Sequence, residues 1–245
     1  MSLIQTEAIV LGSQALGDAD RLITLLTLSH GKIKGVAKGA CRLRNRFGGA
    51  LEPFTHCNLS FIERRTGGLC QIQQAEIVRS YQELREDLET IFCGSHFLIW
   101  VRAFLAEGEA RPSCFELLRQ FLSLLSEVRN VECLARGFEL RLLDLAGYRP
   151  RLDLCGRCGQ ALEKKQVYFS PSDGMAFCDS CCSPGDTILS PLSPATVASF
   201  HQLLVLLPSK VSRLHLSDVV RNELQGMTRA YAKHLLGKEL GMSRV

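Results

Sequence analysis

Residues 21–37 read RLITLLTLSHGKIKGVA. Two runs rich in β-branched and apolar residues, Arg21 to Leu28 and Lys32 to Ala37, flank Ser29-His30-Gly31, whose composition is that of a tight hairpin. Working outward, Thr6 to Ser13 precedes this hairpin with the same alternation, and Cys57 to Ile62 and Leu69 to Val78 follow it around a second turn, Arg65-Thr66-Gly67-Gly68. Gly48-Gly49 ends the connection between the third and fourth runs. Five short strands within the first 80 residues predict a small barrel, and a five-stranded OB-type barrel is the economical fit. A small sandwich or an SH3-like barrel has the same alternation.

From about Leu84 the apolar period becomes helical. Glu89 to Ala106 is apolar nearly all round, which predicts a buried helix. Cys114, Leu118, Phe121, Leu125 and Val128 recur at three- and four-residue spacing, as do Leu134, Phe138, Leu142 and Leu145, and the region closes at Gly147-Tyr148-Arg149-Pro150. Ser193-Pro194 has the form of an N-cap followed by proline at the first helical position. Ser217 precedes a last helix with the seam Val220, Leu224, Met227, Tyr231 and Leu235. The expected fold is α+β and multidomain: an OB-type β-barrel (1–80), an α-helical domain (81–150) with an inserted zinc ribbon (151–185), and C-terminal helices (186–245) that complete the helical domain.

The chain of 245 residues carries 29 basic and 25 acidic side chains, an excess too small to argue for any partner by itself. Its placement says more: residues 1–80 hold ten bases and six acids, whereas 81–150 hold eight and eleven. Apolar runs such as Phe97 to Val101 fall far short of the ~20 residues of a membrane span. The N-terminus lacks the basic-then-apolar pattern of an export signal, so the expected location is the reducing cytoplasm, with thiols or metal ligands among the 11 cysteines rather than disulfides.

The strongest chemical signal is Cys155-x2-Cys158-x19-Cys178-x2-Cys181. Each C-x2-C turn folds back so that two thiolates face one ion, and a hairpin built from Val167-Tyr168-Phe169 and Met175-Ala176-Phe177, turning at Ser172-Asp173-Gly174, brings the pairs together. Four thiolates leave no open coordination position, so one structural Zn2+ per chain is expected; iron–sulfur or redox chemistry, and four buried thiols without metal, are the other readings. Spacing makes Cys182 a bystander. Cys41, Cys57, Cys70, Cys93, Cys114 and Cys133 have no paired spacing and are expected to be buried packing residues.

Lys32, Lys34, Lys38, Arg42, Arg44 and Arg46 fall within 15 residues that contain no acid. Such a run is often only a solvated face. Here Lys32 and Lys34 alternate along a strand, and the arginines continue on what reads as a flexible connection able to follow a phosphate backbone. Arg64 and Arg65 on the next hairpin extend the same surface. Phe47, Phe54 and Phe61 are the local aromatics, as suited to the core as to base stacking. Arg221, Arg229 and Lys233 on the last helix read as a solvated face. No phosphate-binding loop, HExxH, GxSxG or deaminase pattern is present, and the six histidines are dispersed, so no enzyme or small-molecule substrate is expected.

Barrel, helices, ribbon and helices in this order, with Gly17-Asp18, Ala37-Lys38-Gly39-Ala40 and its trailing arginines, Leu51-Glu52-Pro53-Phe54, Arg136-Gly137-Phe138-Glu139-Leu140-Arg141-Leu142-Leu143 and Gly147-Tyr148, resemble the bacterial RecO family of recombination mediators over essentially the whole chain. The resemblance implies a non-enzymatic, nucleoid-associated DNA-repair protein of the RecFOR pathway. Such a protein binds single- and double-stranded DNA, anneals complementary strands, works with RecR, contacts the acidic tail of single-stranded DNA-binding protein (SSB) and helps RecA load. It gives Lys38, Arg42, Arg44 and Arg46 the DNA-contact role and Arg136 that of receiving an SSB-tail carboxylate. Zinc varies within the family, which makes the metal a stabiliser. A zinc-stabilised RNA- or transcription-associated OB protein is the rival class, and an enzyme with a dispersed site the remote one.

Overall fold

The computed structural model describes residues 2–63, 68–127, 131–162, 165–182 and 190–241. By its contacts the chain divides into two compact units, 1–127 and 128–245.

In the first unit, β1 (Leu3–Leu16), β2 (Asp20–Thr27), β3 (Gly31–Ala37), β4 (His56–Ile62) and β5 (Cys70–Arg79) form a closed barrel in the order β1-β2-β3-β5-β4. This is the OB arrangement, and it decides among the sequence alternatives. All pairings are antiparallel except β3 with β5, which run parallel at Gly35↔Cys70 and Val36↔Gln71. A bulge between Val10 and Gly12 bends β1, which pairs with β4 along its first half and with β2 along its second. Ala8, Val10, Ile23, Leu25, Leu59, Phe61 and Ile72 fill the interior. Ile9 and Leu26 point to the outer face yet are also buried. The first helix, α1 (Leu88–Phe104), capped by Asp87 accepting from the Thr90 amide at 3.0 Å, packs against β1. Close approach is secured at Gly94, where a Cβ would sit 3.0 Å from the Phe54 ring. The next helix, α2 (Pro112–Leu125), starts on proline and buries the stripe Cys114, Leu118, Phe121 and Leu125 that the spacing predicts.

The second unit opens with α3 (Val131–Leu145), buried on almost every side. Its ribbon pairs β6 (Val167–Ser170) with β7 (Met175–Cys178) as predicted, and adds β8 (Ser190–Leu192) on the other edge of β6. Next come α4 (Pro194–Val205), the single turn α5 (Pro208–Val211), and α6 (Asp218–Leu236). Ser193 and Ser217 cap α4 and α6, each accepting from a backbone amide three residues on, as the sequence indicates. The ribbon turn lies against α6: Gly174 has φ +64°, and a Cβ there would stand 2.6 Å from the Tyr231 hydroxyl. Phe169 meets the same ring edge-on at 5.5 Å. No helix among the described residues is long and apolar enough to cross a membrane.

Of the six cysteines expected to be packing residues, Cys57, Cys70, Cys93, Cys114 and Cys133 are buried. Burial pushes the thiols of Cys57 and Cys70 up to about 12 and about 11, so both remain unreactive core groups. Cys41 corrects the packing expectation: it is exposed, with its sulfur 3.2 Å from the Asp20 carbonyl, because it lies in a surface loop rather than on a strand.

Candidate nucleic-acid interface and metal centre

The acid-free basic stretch divides in two. Lys32 and Lys34 share the outer face of β3, as the alternation requires, but both are engaged within the protein. The chain leaving α1 runs beside this strand, with Glu107 bridged to Lys32 and the Gly108 amide donating to the Lys32 carbonyl at 2.9 Å. Gly31 permits this contact, since a Cβ would meet the Glu109 carbonyl oxygen at 2.0 Å. The Lys32 ammonium donates to the Arg102 carbonyl at 2.6 Å, and burial lowers its pKa although Glu107 works the other way. Lys34 pairs with Glu107 at 2.7 Å. The acid that neutralises this pair of bases comes from more than 70 residues downstream.

Beyond β3 the bases are free of acids. Lys38, Arg42, Arg44 and Arg46 are all exposed, and no carboxylate among the described residues pairs with them. The loop that carries them is anchored, not the flexible connection its composition indicates. Asp20 accepts from the Gly39 amide at 2.8 Å, and the Cys41 amide donates to the Ala19 carbonyl at 2.9 Å. Asn45 donates through Nδ2 to the Arg42 carbonyl and accepts through Oδ1 from the amides of Phe47 and Gly48, closing an Asx turn. Phe47 then enters the barrel core, with the Arg46 guanidinium 4.9 Å above its ring. Asp20 and Asn45 are the loop-anchoring residues that the sequence did not single out. Asn45, three residues after Arg42 and just before Phe47-Gly48, carries a turn signature, whereas Asp20 has none.

Phe47, Phe54 and Phe61 are all buried, which leaves none of them as a base platform. Arg64 and Arg65 lie outside the described residues. On α6, Arg221 pairs with Glu132 and Asp218, and Arg229 and Lys233 pair with Glu239 at 3.3 and 3.0 Å. Lys233 first, and Arg229 with it, hold the Glu239 carboxyl below its ordinary range. The solvated face on this helix is thus one of matched charges.

Arg136 is only 3% exposed, and its guanidinium bonds Glu139, itself fully buried, at 3.0 Å. The Thr228 hydroxyl donates to the second Glu139 oxygen at 2.7 Å. The charge is committed inside the unit, linking α3 to α6, so a carboxylate arriving from outside would have to displace Glu139.

The four predicted cysteines converge. The sulfurs of Cys155, Cys158, Cys178 and Cys181 all lie within 4.8 Å of one another. Cys155 to Cys158 form a turn closed by the Gly159 amide on the Cys155 carbonyl at 2.9 Å, with Gly159 at φ +70°. Cys178 ends β7, and Asp179–Cys181 form a 3-10 turn. Gly156 lies under the ribbon, where a Cβ would meet Phe177 at 3.0 Å and the Met175 sulfur at 3.1 Å. Burial raises the Cys155 pKa, but amide donors from Cys158, Cys178 and Arg157 outweigh it and bring the thiol down to about 6. The Cys178 amide stands 3.4 Å from the Cys155 sulfur. Four convergent thiols are a donor set that could hold one metal ion in a closed shell.

Two family models match the chain: recombination protein O N terminal over residues 1–81 and recombination protein O C terminal over 85–244. Among similar proteins, the DNA repair protein RecO of Anaeromyxobacter dehalogenans (strain 2CP-C) is 32% identical over all of this chain and 96% of its own length. That of Desulforamulus reducens is 32% identical over 98% of this chain and 92% of its own. That of Pelotomaculum thermopropionicum is 34% identical with the same two coverages.

Proposed function

The chain belongs to the RecO family, and on that premise we propose that it serves DNA repair and homologous recombination as a non-enzymatic mediator. It binds single- and double-stranded DNA irrespective of sequence, anneals complementary strands, and with RecR assists RecA on SSB-coated DNA. The observation that carries this reading is the anchored loop after β3, where Lys38, Arg42, Arg44 and Arg46 stand exposed with no acid among the described residues paired to them. Phosphates of two strands held near these cations lose part of the repulsion that slows annealing, and the counterions released supply the affinity. With no base-edge reader or exposed aromatic in this loop, binding rests on the backbone. Lys32 and Lys34 are assigned to the protein's own structure.

We further assign Zn2+ to the Cys155, Cys158, Cys178 and Cys181 centre, where it would stabilise the ribbon and take no part in a reaction. The SSB tail is proposed to dock on the second unit, with Arg136 acting in the internal network that would support such a surface and not as its receptor.

Replacing Arg42, Arg44 and Arg46 together by alanine tests the reading. Each lost phosphate contact removes about 0.7 from the slope of log K against log salt on a single strand, so the slope should fall by about 2. Annealing of SSB-coated complementary oligonucleotides should slow in parallel. Fluorescence anisotropy titrations that keep the wild-type slope would remove the loop from the DNA site.

A further inference from the structure

The same loop carries a side chain that charge does not explain. Leu43 lies between Arg42 and Arg44, and its relative exposure of 102% is the largest of any large apolar residue described, ahead of Val205 at 82%. An exposed leucine on a mobile tail would be unremarkable. This one sits in a segment pinned on both sides, by Asp20 on the Gly39 amide and by Asn45 on Arg42, Phe47 and Gly48. The loop cannot fold Leu43 inward without breaking those bonds. Phe47, four residues on, already occupies the core position the segment offers.

We propose that Leu43 is a wedge that enters the base stack of a bound strand, parting two neighbouring bases while Arg42 and Arg44 hold the phosphates on either side. The inference rests on the DNA-binding reading of the loop and deepens it. Aliphatic side chains set among arginines do this in proteins that kink nucleic acid, where burial of the apolar group between bases offsets the unstacking. Its partner must be a polyanion with apolar interior surface, since the flanking cations need phosphates and the leucine needs a place to lose water; a nucleic acid strand supplies both at one-residue spacing. The wedge also gives an annealing protein a use for the contact. Stacked single strands present their pairing edges poorly, and a parted step exposes the bases to a complementary strand.

The test uses the full chain and a single-stranded oligonucleotide carrying 2-aminopurine, whose fluorescence rises when its neighbours unstack. The wild-type protein should raise this signal. Leu43→Ala should lose the rise and bind about fivefold more weakly, with its salt slope unchanged because the arginines remain; Leu43→Met should restore the rise. A wild-type protein that leaves the fluorescence flat, or Leu43→Ala with the full rise, overturns the wedge. In the second case the leucine belongs to a protein contact. Neither result touches the DNA-binding reading, which falls only if the triple arginine variant keeps the wild-type salt slope. Since Leu43 touches no core, an unchanged melting temperature confirms that the variant is folded.

Discussion

The cysteine cluster and the basic stretch are the two chemical signals in this sequence, and the fold treats them differently. All four thiols expected at the metal centre arrive there. Of the six bases in the acid-free stretch, Lys32 and Lys34 are engaged by the segment that follows α1, and the other four are exposed with no carboxylate partner among the described residues. A metal site is encoded locally, because two C-x2-C turns and one hairpin contain every ligand. A cation is available to any acid that tertiary structure brings near, so a run of bases marks a surface only until its neighbours are known. The two signals also sit in separate units, which makes them separable by mutation.

The largest test of that separation is metal removal. Structural zinc on thiolates contributes an apparent ~10–16 kcal/mol near neutral pH, more than burial of Val167 and Phe169 at about 1.5–3 kcal/mol each replaces. Chelation, or Cys178→Ser, should therefore abolish hydrogen-exchange protection in β6 and β7. DNA affinity through the loop should stay within about twofold by anisotropy, and a parallel collapse of binding would break the comparison. The reverse experiment is Phe61→Ala, which removes a fully buried ring from the barrel and should destabilise it by about 3–5 kcal/mol. Thermal unfolding should shift accordingly, while the zinc content of the second unit, measured by mass spectrometry, stays at one. The smallest effect sharpens the comparison. Glu107→Gln releases Lys34 from an exposed pair whose contribution to stability is about 0–1 kcal/mol. Affinity for a single strand should rise no more than about twofold, and the salt slope should steepen by no more than about 0.7.

The barrel was legible because a half-buried strand imposes a two-residue alternation, and five such runs separated by glycine-bearing turns admit few closures. The helices were legible through their 3.6-residue period and their serine caps. What escaped is short or acts at a distance. Ser190-Pro191-Leu192 is too brief to show a period, and only its partner β6 makes it a strand. Arg136 stood out as a charge, and Glu139 was visible three residues along, but Thr228, which completes the pair's surroundings, lies 89 residues from Glu139. The same limit hid the fate of Lys32 and Lys34, whose partners sit at Arg102 and Glu107. The anchoring of the loop depended on the side chains of Asp20 and Asn45, and no spacing rule connects Asp20 to Gly39.

The barrel is closed unevenly. Its other strand pairs run for seven or more residues, whereas β3 and β5 meet at two positions, Gly35↔Cys70 and Val36↔Gln71. Gly35 holds them close, since a Cβ there would stand 2.7 Å from the Cys70 sulfur. A ring with one thin link parts at that link first, because local opening follows the fewest bonds. This seam is the least bonded line of the barrel, and the loop bearing Arg42, Leu43 and Arg44 begins immediately beyond β3. On the DNA-binding reading proposed above, strain delivered by a strand gripping that loop would be felt first at this seam.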